Sequence, residues 1–202
     1  MSKFVLPNGF KTAGVACGIK KDGKKDLALI VSEPASEAAG VFTRNIVKGH
    51  SLKWTMNIIR NNMIKAVVIN SGNANACVGP RGDSDAERIA EAAAKLAGCD
   101  KNQILLGSTG VIGFPLPIEK IEQGLQDAWS QLSSDSSTDA ASAIMTTDTF
   151  PKEVSVNINL SGKNVTLYGM AKGSGMIHPN MATMIGVFLT DAAVSAEMLQ
   201  QI

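Results

Sequence analysis

Aromatic side chains are scarce in this 202-residue sequence, which has six Phe, two Trp and one Tyr. So few rings argue against a surface on which nucleic-acid bases stack. Lysine and arginine together number 19 and aspartate and glutamate 18, which excludes a generally basic nucleic-acid binder. No apolar run approaches the roughly 20 residues that a membrane-spanning helix needs. We therefore expect a protein that binds neither nucleic acid nor membrane.

Cysteine is also rare. Cys17, Cys77 and Cys99 are far apart in the sequence, and no CxxC pair or Cys/His cluster is present. This spacing argues against a disulfide framework and against a zinc site. The sequence therefore predicts reduced cysteines, no metal site and a cytoplasmic location.

Short apolar runs and helical patterns follow one another along the chain. Residues 84–96 and 117–132 have helical spacing, with a capping-box pattern at Ser84 and a stop at Gly98. Predicted strands cover residues 27–31, 65–70 and 104–106, and residues 154–170 read as a hairpin whose first strand is half-buried. The order predicts a layered α/β (α+β) fold.

Four segments are too rich in glycine, asparagine and threonine for an ordinary core: residues 70–77, 107–113, 145–152 and 172–189. The first two follow predicted strands, where freed backbone N–H groups can bind a phosphate or an oxyanion. The third places three hydroxyls beside the carboxylate of Asp148, a combination that can bind a polar substrate. Taken singly, the first two segments read at least as well as structural turns, and the third reads about as well as a helix end with capping hydroxyls.

The fourth segment places Thr183 directly before a buried-strand run. A threonine hydroxyl is a weak nucleophile because nothing removes its proton. If the bond between Ala182 and Thr183 were cut, Thr183 would gain an α-amino group with a pKa of about 7.7–8.0. That amine could act as the base for its own hydroxyl.

Taken in order, these segments resemble the ornithine acetyltransferase family, the bifunctional glutamate N-acetyltransferases of arginine biosynthesis. Residues 6–10 and 40–43 fit the same pattern. The resemblance implies a sandwich with sheets between helices. It also implies an enzyme that cleaves itself between Ala182 and Thr183 and passes an acetyl group from N2-acetylornithine to glutamate.

The same resemblance implies roles for single residues. Thr183 is the nucleophile and also binds substrate, and the Thr109 hydroxyl and the Gly110 N–H stabilise the oxyanion. Lys172 contacts substrate, and a further contact comes from Thr146 or, one residue on, from Thr147. No metal or bound cofactor is expected, although some family members accept acetyl-CoA as donor. The expected assembly is a heterotetramer of two α and two β chains.

Family members continue for about as long again after the nucleophile. We therefore expect residues 1–182 to form the α-like part and residues 183–202 the start of a truncated β-like part. Two alternatives stay open: a related self-processing amidase or aminopeptidase, and an inactive fragment that needs the missing half. His50 is expected on the surface, and the mechanism does not require His178.

Overall fold

The computed structural model describes residues 4–60, 63–160, 162–173 and 184–202, which form two sheets and five α-helices. The first sheet has the order β1 (Phe10–Val15), β2 (Leu27–Ser36), β3 (Ile64–Asn73) and β4 (Ile104–Val111). The second has the order β5 (Lys152–Leu160), β6 (Lys163–Lys172) and β7 (Ile185–Thr190). The helices are α1 (His50–Ile58), α2 (Arg81–Ala97), α3 (Ile118–Ser130), α4 (Ser137–Ala143) and α5 (Ala196–Gln201).

Strand β3 runs parallel to β4, while the other described pairings are antiparallel. A parallel pair needs a crossover, and here α2 lies between the two strands in the chain. The predicted mixed α/β class is confirmed.

The first sheet is covered on both faces. Side chains of β2 such as Leu27 and Leu29 pack with α2 and α3 on one face. Ala28 and Ile30 point the other way, toward α4 and the second sheet, where Tyr168 and Met170 are buried. This double burial explains why the central strands read as continuous apolar runs instead of alternating ones.

Helix ends follow the local signals. Gly98 has φ +62° and ends α2, as the sequence predicts, because the left-handed conformation favours glycine. Pro117 directly precedes α3. The Ser195 side chain accepts a hydrogen bond from the Met198 N–H and caps α5.

Two expectations differ from the structure. The glycine segment after residue 106 does not begin as a loop, because β4 continues through Gly107 to Val111. In β5, the apolar side chains of Val154, Val156 and Ile158 are exposed. The opposite side of this strand carries Glu153, which bonds with Tyr168 and Thr138 toward α4. The hairpin itself is confirmed, in register from Lys152 to Leu160.

Candidate active site

The two glycine-containing segments meet at one edge of the first sheet. In the parallel pairing of β3 with β4, Ser71 lies opposite Thr109 and Gly72 lies opposite Gly110. Both strands end there, and the carboxyl end of parallel strands is where α/β proteins commonly place their ligands. The structure thus brings the two proposed oxyanion donors, Thr109 and Gly110, next to the asparagine-rich segment.

The approach of the two strands requires glycine at residue 110. Gly110 has φ +133°, and a Cβ there would lie 2.3 Å from the carbonyl carbon of Gly72. No side chain fits at that distance. Thr109 beside it is buried, whereas Gly110 is exposed at the strand end.

Hydrogen bonds hold the asparagine-rich segment across the end of β4. The Asn75 N–H donates to the Ser108 hydroxyl at 2.8 Å, and the Ala74 N–H donates to the Val111 carbonyl at 2.7 Å. The Gly113 N–H donates to the Ala76 carbonyl at 2.9 Å. These bonds fix the backbone around Thr109 from both sides, which is the preorganisation that an oxyanion site needs.

Helix α4 connects this edge with the threonine segment. The Ser71 hydroxyl, fully buried, donates to the Ala143 carbonyl at the end of α4. The chain then continues into Thr146, which is half-buried, and Thr147, which is exposed. Both predicted substrate threonines therefore follow directly from a helix end anchored on β3.

The Asp148 carboxylate is occupied by protein donors. It accepts hydrogen bonds from Lys152 Nζ at 2.6 Å, from the Gly173 N–H at 2.8 Å and from the Thr146 N–H at 3.3 Å. Burial alone raises the pKa of Asp148, but these donors outweigh it, so that the pKa lies below the ordinary carboxyl value. The described contacts of this carboxylate are thus with the protein itself, within the segment that the sequence analysis considers able to bind a polar substrate.

Lys172 is a buried ammonium at the end of β6. The residue is only 3% exposed, and its Nζ donates to the Gly173 carbonyl at 2.7 Å. Burial is the main cause that lowers its pKa, and the nearby Lys152 lowers it further, while Asp148 acts in the opposite direction. A lysine Nζ carries three donors, and among the described residues one of them bonds to the Gly173 carbonyl. A substrate carboxylate is the kind of acceptor that the others could bind.

The remaining predicted site residues, Ala182 and Thr183, lie outside the described residues, as does His178. The described chain resumes at Met184, and Ile185 pairs with Lys172 across β6 and β7. No described residue tests the role of Thr183, which stays a prediction.

His50 is not on the surface as the sequence analysis expects, because the residue is only 8% exposed. Its Nδ1 lies 2.6 Å from Asp83 Oδ1, and its backbone N–H donates to the Asn75 carbonyl. The ring packs against Gly82, where a Cβ would lie 2.2 Å from a ring carbon. Sequence reasoning missed this support for the asparagine-rich segment, since Asp83 and His50 are 33 residues apart.

Sequence reasoning also missed Asp26, a fully buried carboxylate at the start of β2. It accepts hydrogen bonds from the backbone N–H groups of Cys17, Ile19 and Lys20 at 2.7–2.9 Å. The side chains of Ile19 and Lys20 lie against Gly72. The sequence offers little signal, because Asp26 is one of six charged residues within positions 20–26, and nothing there marks it as the buried one.

Within residues 4–60, 63–160, 162–173 and 184–202, no group of three or more His, Cys, Asp or Glu side chains could hold a metal ion. None of the helices in these ranges is both long enough and apolar enough to cross a bilayer.

Comparisons with known proteins agree on one family. The ArgJ family model matches residues 11–202. The arginine biosynthesis bifunctional protein ArgJ of Caldanaerobacter subterraneus subsp. tengcongensis is 49% identical over 98% of this chain and 49% of its own length. ArgJ of Thermotoga neapolitana is 48% identical over 98% of this chain and 50% of its own. The chain thus spans about half the length of these curated relatives.

Two solved structures share the fold. The arginine biosynthesis bifunctional protein ArgJ from Bacillus halodurans has a TM-score of 0.81 at 36% identity, covering 90% of this chain and 96% of that chain. Ornithine acetyltransferase complexed with ornithine, from Mycobacterium tuberculosis, has a TM-score of 0.82 at 40% identity, covering 90% and 98%. The chain belongs to the ArgJ family.

Proposed function

We propose that this chain provides the nucleophile and the oxyanion site of an enzyme that moves an acetyl group from N2-acetylornithine to glutamate. The observation that carries the proposal is the shared edge of β3 and β4, where Thr109 and Gly110 meet Ser71 and Gly72. Membership of the ArgJ family supports it, as does the likeness to a solved ornithine acetyltransferase complexed with ornithine.

The proposed chemistry has two halves. The Thr183 hydroxyl attacks the acetyl carbonyl and gives its proton to its own free α-amine. Thr109 and Gly110 donate to the oxyanion, and one such donor is typically worth about 3–4 kcal/mol in the transition state. Collapse of the tetrahedral intermediate breaks the bond between the acetyl carbon and the ornithine nitrogen, which takes the proton from the amine of Thr183. An acetyl ester remains on Thr183. The glutamate amine then attacks this ester, and Thr183 regains its proton.

Substrate binding is assigned to the neighbouring cation and hydroxyls. Lys172 contacts a substrate carboxylate, because a buried ammonium gains most from a charged partner. Thr146 or Thr147 supplies a further hydrogen bond, and Thr183 itself contacts the bound acetyl group. The free amine of Thr183 requires cleavage of the peptide bond between Ala182 and Thr183. Hydrolysis by water gives a carboxylate on Ala182 and the α-amine on Thr183.

Chain lengths support this cleavage. The two solved relatives match this chain over nearly their whole length, whereas the curated relatives are about twice as long as the matched part. Cleavage of the relatives near this point would explain both observations. The uncleaved polypeptide has the length of the curated relatives, and one of its two product chains has the length of the solved chains. We accordingly divide the sequence into residues 1–182 and 183–202, with the second part continuing into a β-like chain.

We propose a heterotetramer of two α and two β chains, located in the cytoplasm and working without a metal or bound cofactor. Acetyl-CoA is proposed as an alternative donor substrate. The β-like chain completes the active site.

The test uses the full-length polypeptide that carries residues 1–202, as wild type and as Thr183→Ala. Intact mass spectrometry is expected to find two fragments for the wild type and one uncleaved chain for the variant. The wild type should then form ornithine from N2-acetylornithine in proportion to added glutamate. Acetate release that ignores glutamate would identify an amidase, and an uncleaved, inactive wild type would identify a non-catalytic chain.

A further inference from the structure

Asp148 lies in the connection between α4 and β5, and its side chain is only 3% exposed. A buried carboxylate is costly unless hydrogen bonds and opposite charge compensate it. Here one lysine and two backbone N–H groups do so, so that both carboxylate oxygens have partners. An aspartate with both oxygens already occupied is suited to hold protein groups in place.

The groups that Asp148 holds belong to two separate parts of the proposed site. Its Oδ2 accepts from the Thr146 N–H, at the start of the threonine segment. Its Oδ1 accepts from the Gly173 N–H, directly after Lys172. One side chain therefore joins the segment of the predicted substrate threonines to Gly173, which follows the predicted substrate lysine and lies 25 residues beyond Asp148.

Gly173 allows the close approach. A Cβ at this position would lie 2.9 Å from Asp148 Oδ1, closer than real Cβ contacts allow. A side chain there would therefore push the carboxylate away from the backbone without removing its charge. This offers a second, independent way to disturb the same contact.

Two lysines lie near the carboxylate. Lys152 bonds to it directly at 2.6 Å, and Lys172 is close enough for Asp148 to raise its pKa against the lowering effect of burial. Asp148 therefore offsets part of the positive charge beside Thr146 while its own oxygens stay bound to the protein.

We propose that Asp148 is a positioning residue for acetyl transfer, which holds Thr146 and Lys172 at the spacing that the substrate requires. The inference rests on the proposed function of the site. It predicts that loss of the Asp148 bonds weakens substrate binding more than it slows the chemical step, because the proposed oxyanion donors Thr109 and Gly110 lie on β4, away from the hydrogen bonds of Asp148.

The experiment compares kcat and KM for N2-acetylornithine in the full-length protein. Asp148→Asn is expected to lower kcat/KM by about 10- to 100-fold, mainly through KM, the size that misplaced groups commonly cause. Gly173→Ala should raise KM in the same way. Glu122→Gln, which breaks a surface pair with Arg88 on α2, serves as the control and should change neither constant.

The outcomes separate the two claims. A wild type without glutamate-dependent transfer overturns the proposed function itself. An active wild type with an unchanged KM in both Asp148→Asn and Gly173→Ala overturns the positioning role alone. A lower kcat at constant KM, with a lower melting temperature, would mark Asp148 as merely structural and would also overturn it. If Asp148→Asn does not fold, Gly173→Ala decides by the same criterion.

Discussion

Gly110 and Gly72 face each other across the parallel β3/β4 pair so closely that a Cβ on Gly110 would meet the Gly72 carbonyl group. The contact lies next to Thr109, so it also sets where the proposed oxyanion donors lie. Backbone packing, more than any side chain, determines the geometry of this edge.

Gly110→Ala is therefore expected to destabilise the fold and reduce activity. Gly113→Ala is the matched control, because Gly113 also has a positive φ but has nothing within 4 Å of the added Cβ. We expect Gly110→Ala to cost about 1–3 kcal/mol more than Gly113→Ala, the usual size of overpacking. Urea unfolding measures the difference. Equal unfolding midpoints for the two variants would contradict the close approach of Gly110 to the Gly72 carbonyl.

Lys172→Met should separate activity from stability. Removing a buried ammonium ends its desolvation cost, so the melting temperature should stay the same or rise. The lost charged hydrogen bond, worth about 1.5–3 kcal/mol, should lower kcat/KM by about 10- to 100-fold. Lys101→Met, which removes a surface lysine paired with Glu87 and Glu91, is the control. Unchanged kinetics in Lys172→Met would remove this residue from the substrate site.

Asp148→Asn should change the pH dependence of unfolding. The pKa of Asp148 is lower in the folded protein than its ordinary value of 3.8. Its stabilising contribution is therefore complete above about pH 4 and is lost as the pH falls through the folded value. Hydrogen bonds to a charged group suggest a loss of about 2 kcal/mol at pH 7. Urea unfolding at pH 7 and pH 3 should show a difference from wild type that shrinks in acid, whereas a constant difference would contradict it.

The cysteines should differ in their reaction with iodoacetamide at pH 8. Burial, aided by the Asp26 carboxylate, raises the pKa of Cys17 to about 12, which leaves only about 1 thiolate in 10,000 at that pH. Burial also raises the pKa of Cys99, whereas Cys77 is exposed. Peptide mass spectrometry should find Cys77 labelled first. Equal labelling of Cys17 in the folded protein would contradict its described environment.

Much of the fold was predictable because it depends on local patterns. Buried runs at residues 27–31 and 65–70 became central strands, and Gly98 ended α2 where expected. The exposed side of β5 was not predictable from alternation, which locates a strand but does not say which side faces the core. That choice depends on what the neighbouring strand β6 packs against.

In the candidate site too, local motifs were readable from the sequence, whereas contacts between distant residues were not. Thr109, Gly110, Thr146 and Lys172 belong to long motifs, so the resemblance assigns them roles without any knowledge of their neighbours, and those roles stay predictions. The bonds of Asp148 with Gly173 and of His50 with Asp83 join residues 25 and 33 positions apart. Such contacts exist only after folding, and no local pattern encodes them.

The central claim is that Thr183 carries the acetyl group between the two substrates. The most direct measurement is peptide mapping by mass spectrometry after the full-length protein meets N2-acetylornithine without glutamate. We predict one added acetyl group on the Thr183 peptide, which disappears when glutamate is added. An acetyl group on a different residue, or one on Thr183 that glutamate does not remove, would contradict the account.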